Sequence, residues 1–279
     1  MRRIALLLAV VLVPVVAGAA LAAGGGERAK GMRALAGVNF VSACGFSHRA
    51  ADDPIVAPGR PGASHDHSFV GNRSTSASST YASLRAAGTT CRRTGDTAGY
   101  WAPTLLREGR ALEPAGATVY YRRRTLDPVR TFPPGFRMIA GDAKAQGAQP
   151  LAVTFWNCGV AGGAPRSSEP PTCPGRRARS LRLHVLFPNC WDGRSLDSAT
   201  HQSHVAYSVR GLCPRTHPVP LPALALIVRY RDTGAAGLAL SSGGVHSAHA
   251  DFFNAWSQPE LDRLVAGCLN SLRHCGRGD

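Results

Sequence analysis

Apolar and polar positions alternate with a period of two in several short runs of the chain. Leu181, Leu183, Val185 and Phe187 are interleaved with Arg182, His184 and Leu186. Leu224, Leu226, Val228 and Tyr230 alternate in the same way. Val119-Tyr120-Tyr121 and the run from Leu151 to Trp156 are rich in β-branched and aromatic residues. Runs of this kind turn one face to a core and predict strands. Gly- and Pro-rich stretches at 58–62, 159–175 and 234–244 separate them as turns and loops. Near the far end the period changes. Ser257-Gln258-Pro259-Glu260 has the form of a capping box with proline in the first turn. Leu261, Leu264, Val265, Cys268, Leu269 and Leu272 then follow at helical spacing. The pattern predicts a mainly β fold, a β-sandwich or jelly roll, with loop-rich connections and a C-terminal α-helix.

The first residues read differently. Arg2 and Arg3 precede an apolar run from Ile4 to Ala17, broken by Pro14 and followed by small residues to Ala23. That order predicts a secretory signal peptide over 1–23 and export of the protein. An uncleaved anchor holding the protein at the cell surface is the alternative. Residues 24–37 then read as a flexible leader and 38–279 as a single domain. The 279 residues are 44% hydrophobic, which excludes disorder of the whole chain. No internal apolar run is long enough to span a bilayer, so no stable membrane span is expected once the signal is removed.

Cysteine usage agrees with export. Eight cysteines in a secreted chain point to disulfides, and no C-x2-C spacing favours zinc binding by thiolates. Eight cysteines allow 105 connectivities, and the one that pairs sequence neighbours would join Cys44 to Cys91, Cys158 to Cys173, Cys190 to Cys213 and Cys268 to Cys275. The last pair is possible only if the helix stops before Cys275, because seven residues of continuous helix span about 10.5 Å.

Ten histidines carry the candidate chemistry. In His65-Asp66-His67 the two imidazoles share a face if the segment is extended, and His249 and Asp251 stand in the same relation. In His201-Gln202-Ser203-His204 the following Val205, Tyr207 and Val209 alternate as an apolar face, so His204 is expected on the opposite one. His65, His67, His249 and Asp251 suit a divalent metal such as zinc, manganese or copper. They equally suit metal-free acid–base work, with His204 as a further base. The plainer alternative is that each histidine makes one structural hydrogen bond. No H-E-x-x-H, G-x-S-x-G or P-loop is present. Asn72-Arg73-Ser74 is a lone glycosylation sequon.

The formal net charge is +15, and nearly all of it is arginine. Arg122-Arg123-Arg124 and Arg176-Arg177-Ala178-Arg179 are clusters that suit phosphate or carboxylate partners. No basic stripe is interleaved with aromatics, which makes nucleic acid a weaker partner than an acidic wall polymer. Much of the arginine fits a composition rich in Ala and Gly and poor in Lys.

A set of ordered motifs adds a resemblance. Asp53-Pro54-Ile55-Val56 is followed by Ser64-His65-Asp66-His67 with Gly71, then Thr89-Thr90-Cys91, Tyr100-Trp101-Ala102-Pro103 and Val119-Tyr120-Tyr121-Arg122. Next come Phe132-Pro133-Pro134-Gly135-Phe136-Arg137-Met138, Phe187-Pro188-Asn189-Cys190-Trp191-Asp192-Gly193 and Leu196-Asp197-Ser198. His201 to Tyr207, Cys213-Pro214-Arg215-Thr216-His217-Pro218 and His249-Ala250-Asp251-Phe252 complete the order. From about Val38 to Cys268 the chain resembles the DUF1996 family, a secreted domain of unknown function in bacteria and fungi. The resemblance implies a single secreted domain, joined in some members to carbohydrate-binding WSC modules, and implies no established reaction. It marks His65, His67, Asp192, Asp197, His201, His204, His217, His249 and Asp251 as family-like polar residues, with Trp101, Tyr120 and Arg137. The chain departs from the pattern at Gly244, where many members carry an acidic residue.

Two functions compete. The first is a secreted hydrolase or lyase acting on cell-wall polysaccharide or another anionic polymer. Trp101, Tyr120, Arg137, Asp192 and His201 would then contact substrate beside the His/Asp set. The second is a non-catalytic module that binds carbohydrate or cell wall, or a protein that simply binds metal.

Overall fold

The computed structural model describes residues 17–159, 164–174, 180–231 and 234–276. Its strands, in chain order, are β1 (Asn39–Cys44), β2 (Phe46–Ala50), β3 (His67–Gly71), β4 (Gly99–Pro103), β5 (Leu105–Arg107), β6 (Arg110–Ala111), β7 (Gly116–Arg122) and β8 (Arg137–Gly141). Then come β9 (Thr154–Asn157), β10 (Arg182–Leu186), β11 (Cys190–Trp191), β12 (Val205–Ala206), β13 (Val219–Pro220), β14 (Ala223–Arg229), β15 (Leu238–Leu240) and β16 (His249–Phe253). Two five-stranded antiparallel sheets dominate, ordered β1-β7-β14-β10-β9 and β2-β3-β4-β16-β8. Two small three-stranded sheets, β12-β11-β13 and β15-β5-β6, flank them.

Alternation decides how the two large sheets meet. Phe40, Tyr121, Leu183, Val185 and Leu226 of the first share one core with Val70, Tyr100, Met138, Ala250 and Phe252 of the second. The fold is therefore a jelly-roll-like β-sandwich. A polar chain crosses its middle. The Tyr100 and Tyr121 hydroxyls lie 2.5 Å apart, and Trp256 Nε1 donates to them at 3.2 and 2.9 Å. Tyr100 also donates to the buried carboxylate of Asp96 at 2.9 Å.

The outer face of the second sheet is covered as well. Phe69, Trp101 and Phe253 point outward and pack under Ile55 of the 51–66 loop and Leu84 of a short helix, Tyr81–Ala86. That helix has a true capping box: Thr80 Oγ1 accepts from Ser83 N, and the Ser83 hydroxyl accepts from Thr80 N. His67, His249 and Asp251 sit on this covered face, next to its apolar patch.

All four disulfides join sequence neighbours: Cys44–Cys91, Cys158–Cys173, Cys190–Cys213 and Cys268–Cys275. They indicate an oxidising environment. The last pair closes because the α-helix Gln258–Leu264 widens into a π-helical turn at Val265–Asn270 and the chain reverses at Leu272, whose φ is 55°. The Cys268 and Cys275 Cα atoms are then 5.8 Å apart. The returning tail bonds to β1 through Cys275 N to Asn39 O and Val41 N to Gly276 O. It thereby covers that sheet edge.

Several expectations fail, each for a local reason. Ser257 makes no side-chain cap, so the expected capping box does not form. Leu151 to Val153 is a turn and the strand starts at Thr154, because Val153 N and Thr154 N both bond to Pro150 O. Leu272 leaves the buried stripe and is 48% exposed. Asn72 is fully buried with Nδ2 donating to Leu84 O and Thr97 O, so its sequon is closed in the folded domain. Residues 24–34, expected as a flexible leader, are helical as part of Ala17–Ala34. Leu35 is buried just beyond the helix, and a Cβ at Gly31 would touch Leu126 Cδ2 at 2.8 Å, so this end of the helix is anchored on the domain. Most of the apolar run of the signal segment, 1–16, and Arg176, Arg177 and Arg179 lie outside the described residues. No helix among the described residues is long and apolar enough to cross a membrane.

Candidate functional site

Three histidines from two neighbourhoods meet on the outer face of the second sheet. His67 opens β3, His65 precedes it in the loop, and His249 opens β16. Strand β4 lies between β3 and β16, so the pleat aims His67 and His249 to the same side. One nitrogen from each of the three rings lies within 4.8 Å of the others. His65 Nε2 and His249 Nε2 are 3.2 Å apart.

Backbone carbonyls determine which nitrogen is free. His67 Nδ1 donates to Asp52 O at 3.0 Å, and His249 Nδ1 donates to Ser247 O at 2.8 Å. A carbonyl can only accept, so the Nε2 atoms of both neutral rings carry lone pairs. His67 Nε2 is buried without any partner. Burial, together with the His65 and His249 charges, holds the His67 pKa well below the usual imidazole value. Burial likewise pushes His249 down to about 4 and lowers His65. All three rings are therefore neutral near pH 7. Nδ1–H tied to a carbonyl and Nε2 turned to a common point is the arrangement in which imidazoles ligate metals.

Asp251 does not complete this set. Its carboxylate falls in a second group with Asp53 and His67, again within 4.8 Å of one another. Asp251 is fully buried and neither oxygen has a partner. Leaving such a group unsatisfied costs about 1–3 kcal/mol or more. Burial, then repulsion from Asp53, holds its pKa well above the usual carboxylate value. Asp53 is raised by burial and partly restrained by the Val56 and Ile55 N–H groups, which bond to it at 2.9 and 2.8 Å. The Trp101 indole also lowers it, without a hydrogen bond of standard geometry. Asp53 opened a quoted sequence motif yet was not among the expected site residues. Its signal was that motif alone, since no periodicity pairs it with position 251.

The other expected residues are dispersed. His204 lies inside, 1% exposed, because Nε2 donates to Arg137 O at 2.8 Å and Nδ1 bonds the Ser198 hydroxyl at 2.9 Å. Both nitrogens are used and Phe136 packs against the ring, so it offers no free base. The apolar alternation pointed the wrong way here: Tyr207 and Val209 are exposed. Trp101 is 0% exposed under the covering loop and presents no ring face to a ligand. Asp192 closes a turn by accepting from Arg194 N and Ser195 N. Tyr120 sits on the outer face of the other sheet, on β7. Arg137 and His201 do reach the rim of the histidine face. His201 Nδ1 bonds Asp197 Oδ1 at 2.9 Å, and Asp197 Oδ2 is 3.7 Å from Arg137 Nη1. The Arg137 guanidinium lies 4.7 Å over the Phe253 ring. In the β8–β16 ladder Arg137 pairs with Phe253 and Gly141 with His249. Arg137 is thus about 13 Å along the sheet from the imidazoles.

Comparison with known proteins places the chain without naming a reaction. No curated protein and no solved structure matches it. The family model of a domain of unknown function, DUF1996, matches residues 53–256, and the chain belongs to that family.

Proposed function

We propose that the protein is a secreted, metal-dependent hydrolase or lyase acting on cell-wall polysaccharide or another anionic polymer. The observation that carries this reading is the convergence of His65, His67 and His249, with a buried Nε2 on His67 that bonds to nothing. A divalent cation held there, with zinc, copper and manganese as candidates, would supply Lewis acidity and a bound water of lowered pKa. The protein's own groups prepare the site. The Asp52 and Ser247 carbonyls hold the tautomers, and burial keeps the rings uncharged. Burial, then repulsion from Asp53, favours the protonated form of Asp251 beside His67. Arg137 and His201, on the rim, suit a carboxylate or phosphate of a long substrate. Export agrees with the four disulfides and with the signal-like start of the chain.

The test is activity of purified protein on wall glycans, uronates and nucleic acid, with and without chelator. Loss of soluble product in both His65→Ala and His249→Ala, and in chelator, is expected. Turnover that survives both substitutions overturns the reading. One observation favours the second reading, a non-catalytic wall-binding module: a cavity of about 390 Å³ lies on the other sheet, away from the imidazoles. That reading expects saturable retention on insoluble wall material with no product released.

A further inference from the structure

The outer face of the first sheet carries a cavity of about 390 Å³. Its floor follows from the same alternation that fills the core. Tyr121, Leu183 and Leu226 point inward, so their neighbours Tyr120, Arg122, Arg182 and His184 point out. Arg124 and Arg166 complete a ring of four arginines, and the described walls contain no aspartate or glutamate. Among the described residues, none of Arg122, Arg124 and Arg166 is in an ion pair. Two of them rest on aromatic rings instead. Arg122 lies 4.3 Å over Tyr120 and Arg166 lies 4.5 Å over Phe155. These stacks aim the guanidinium groups without neutralising them.

We infer that this cavity is an anion-binding site, separate from the histidine centre, that takes a phosphate or carboxylate group of a ligand. The guanidinium groups of Arg122, Arg124 and Arg166, gathered around a partly apolar hollow, repel one another, and an anion with several acceptor oxygens removes that repulsion while accepting forked hydrogen bonds. The charges already act on their surroundings. His184 is stacked 4.2 Å from Phe155 and its Nε2 bonds Asn157 Oδ1 at 3.0 Å. Burial, then Arg182, Arg122 and Arg166, push its pKa down to about 3. Burial and the neighbouring Arg124 lower Arg122 to about 10. An isolated surface arginine shows no such coupling. The two outer faces belong to opposite sheets of the sandwich, so a polymer bound here and a cation bound at the histidines occupy different surfaces.

The experiment titrates the full-length protein with tripolyphosphate and with trigalacturonate at low ionic strength. The two probes separate phosphate from carboxylate ligands. Saturable binding of at least one is expected. The double variant Arg122→Gln/Arg166→Gln should weaken it by about tenfold or more, while His65→Ala leaves it unchanged. Equal affinity in the double variant, or no saturable binding of either probe, overturns the inference. A measurement on the unmodified protein guards against misfolding of that variant. Nitrogen NMR of the His184 ring should show its pKa rising when the bound anion offsets the arginines. A His184 titration that saturating probe leaves unmoved also overturns the inference. Success or failure here leaves the proposed metal chemistry untouched, because that is read by chelator and by the His65 and His249 variants.

Discussion

His249 opens one polar motif and His204 closes another, yet the structure gives them opposite expected behaviour on substitution. His249→Ala removes one of three converging imidazoles. Zinc affinity, measured by competition with a chromophoric chelator, should fall by about a hundredfold or more, with a modest change in stability. His204→Ala leaves the Arg137 carbonyl without its side-chain partner inside the fold and removes one of the two hydrogen bonds of the Ser198 hydroxyl, which keeps the one from Ser203 N. Urea denaturation should show a loss of about 1–3 kcal/mol, and zinc affinity should hold. The sequence marked His65 with His67, and His249 with Asp251, by their spacing of two, but His65 lies in the loop before β3 and Asp251 turns to Asp53, so the fold alone brings His65, His67 and His249 together. The sequence misdirected His204 because Val205, Tyr207 and Val209 alternate on a segment with only two residues of strand. There, partners across the fold and not periodicity choose the buried side chain. Trp101 was misread as a contact because an aromatic on a strand looks the same whether a ligand or a covering loop lies on it.

At the scale of elements, the site depends on how β8 and β16 fit together. Gly141 has φ of 86°, and a Cβ there would stand 2.8 Å from His249 Cα. Gly141→Ala should therefore shift the start of β16, lowering zinc affinity and the melting temperature without altering a ligand. The disulfides rank by the loop each closes. Removing Cys44–Cys91, 47 residues apart, should cost about 4 kcal/mol in chain entropy, against about 2 kcal/mol for Cys268–Cys275, seven apart. Denaturant titration of the paired Cys→Ala variants measures both. Strands β7, β10 and β14 were legible because every second residue of each, such as Val119 and Tyr121, Leu183 and Val185, or Leu224, Leu226 and Val228, enters the shared core. The start of β9 was not, since Pro150 bends 151–153 into a turn that hydrophobicity alone cannot reveal. The α-helical cap at Ser257 also failed: its sequence form is right, but Ser257 makes no side-chain bond.

Across the whole molecule, the sandwich is tied through Asp96, Tyr100, Tyr121 and Trp256. Asp96 is pushed up to about 7, first by burial, with Ser42 and Tyr100 hydrogen bonds opposing and Glu260 adding to the rise. The folded state therefore keeps a proton that the unfolded chain releases near 3.8. This group's contribution to stability falls as pH rises between those values and is flat above the upper one. The stability of the native protein relative to Asp96→Asn, from denaturant melts across that window, should decline in the same way. A difference that stays constant with pH would refute the assignment. Taken alone, the sequence determined the β class and the C-terminal helix, and it singled out neighbouring cysteines as candidate pairs and histidines two residues apart as candidate site groups. Each of these follows from local period or from loop length. Only the tertiary structure decided that Asp53 joins Asp251 at His67, that Trp101 and His204 are inside, and that Tyr120 belongs with the arginines of the opposite sheet. Those outcomes depend on which segments of distant sequence are brought together, and a pattern of nearest neighbours along a chain contains no such distances.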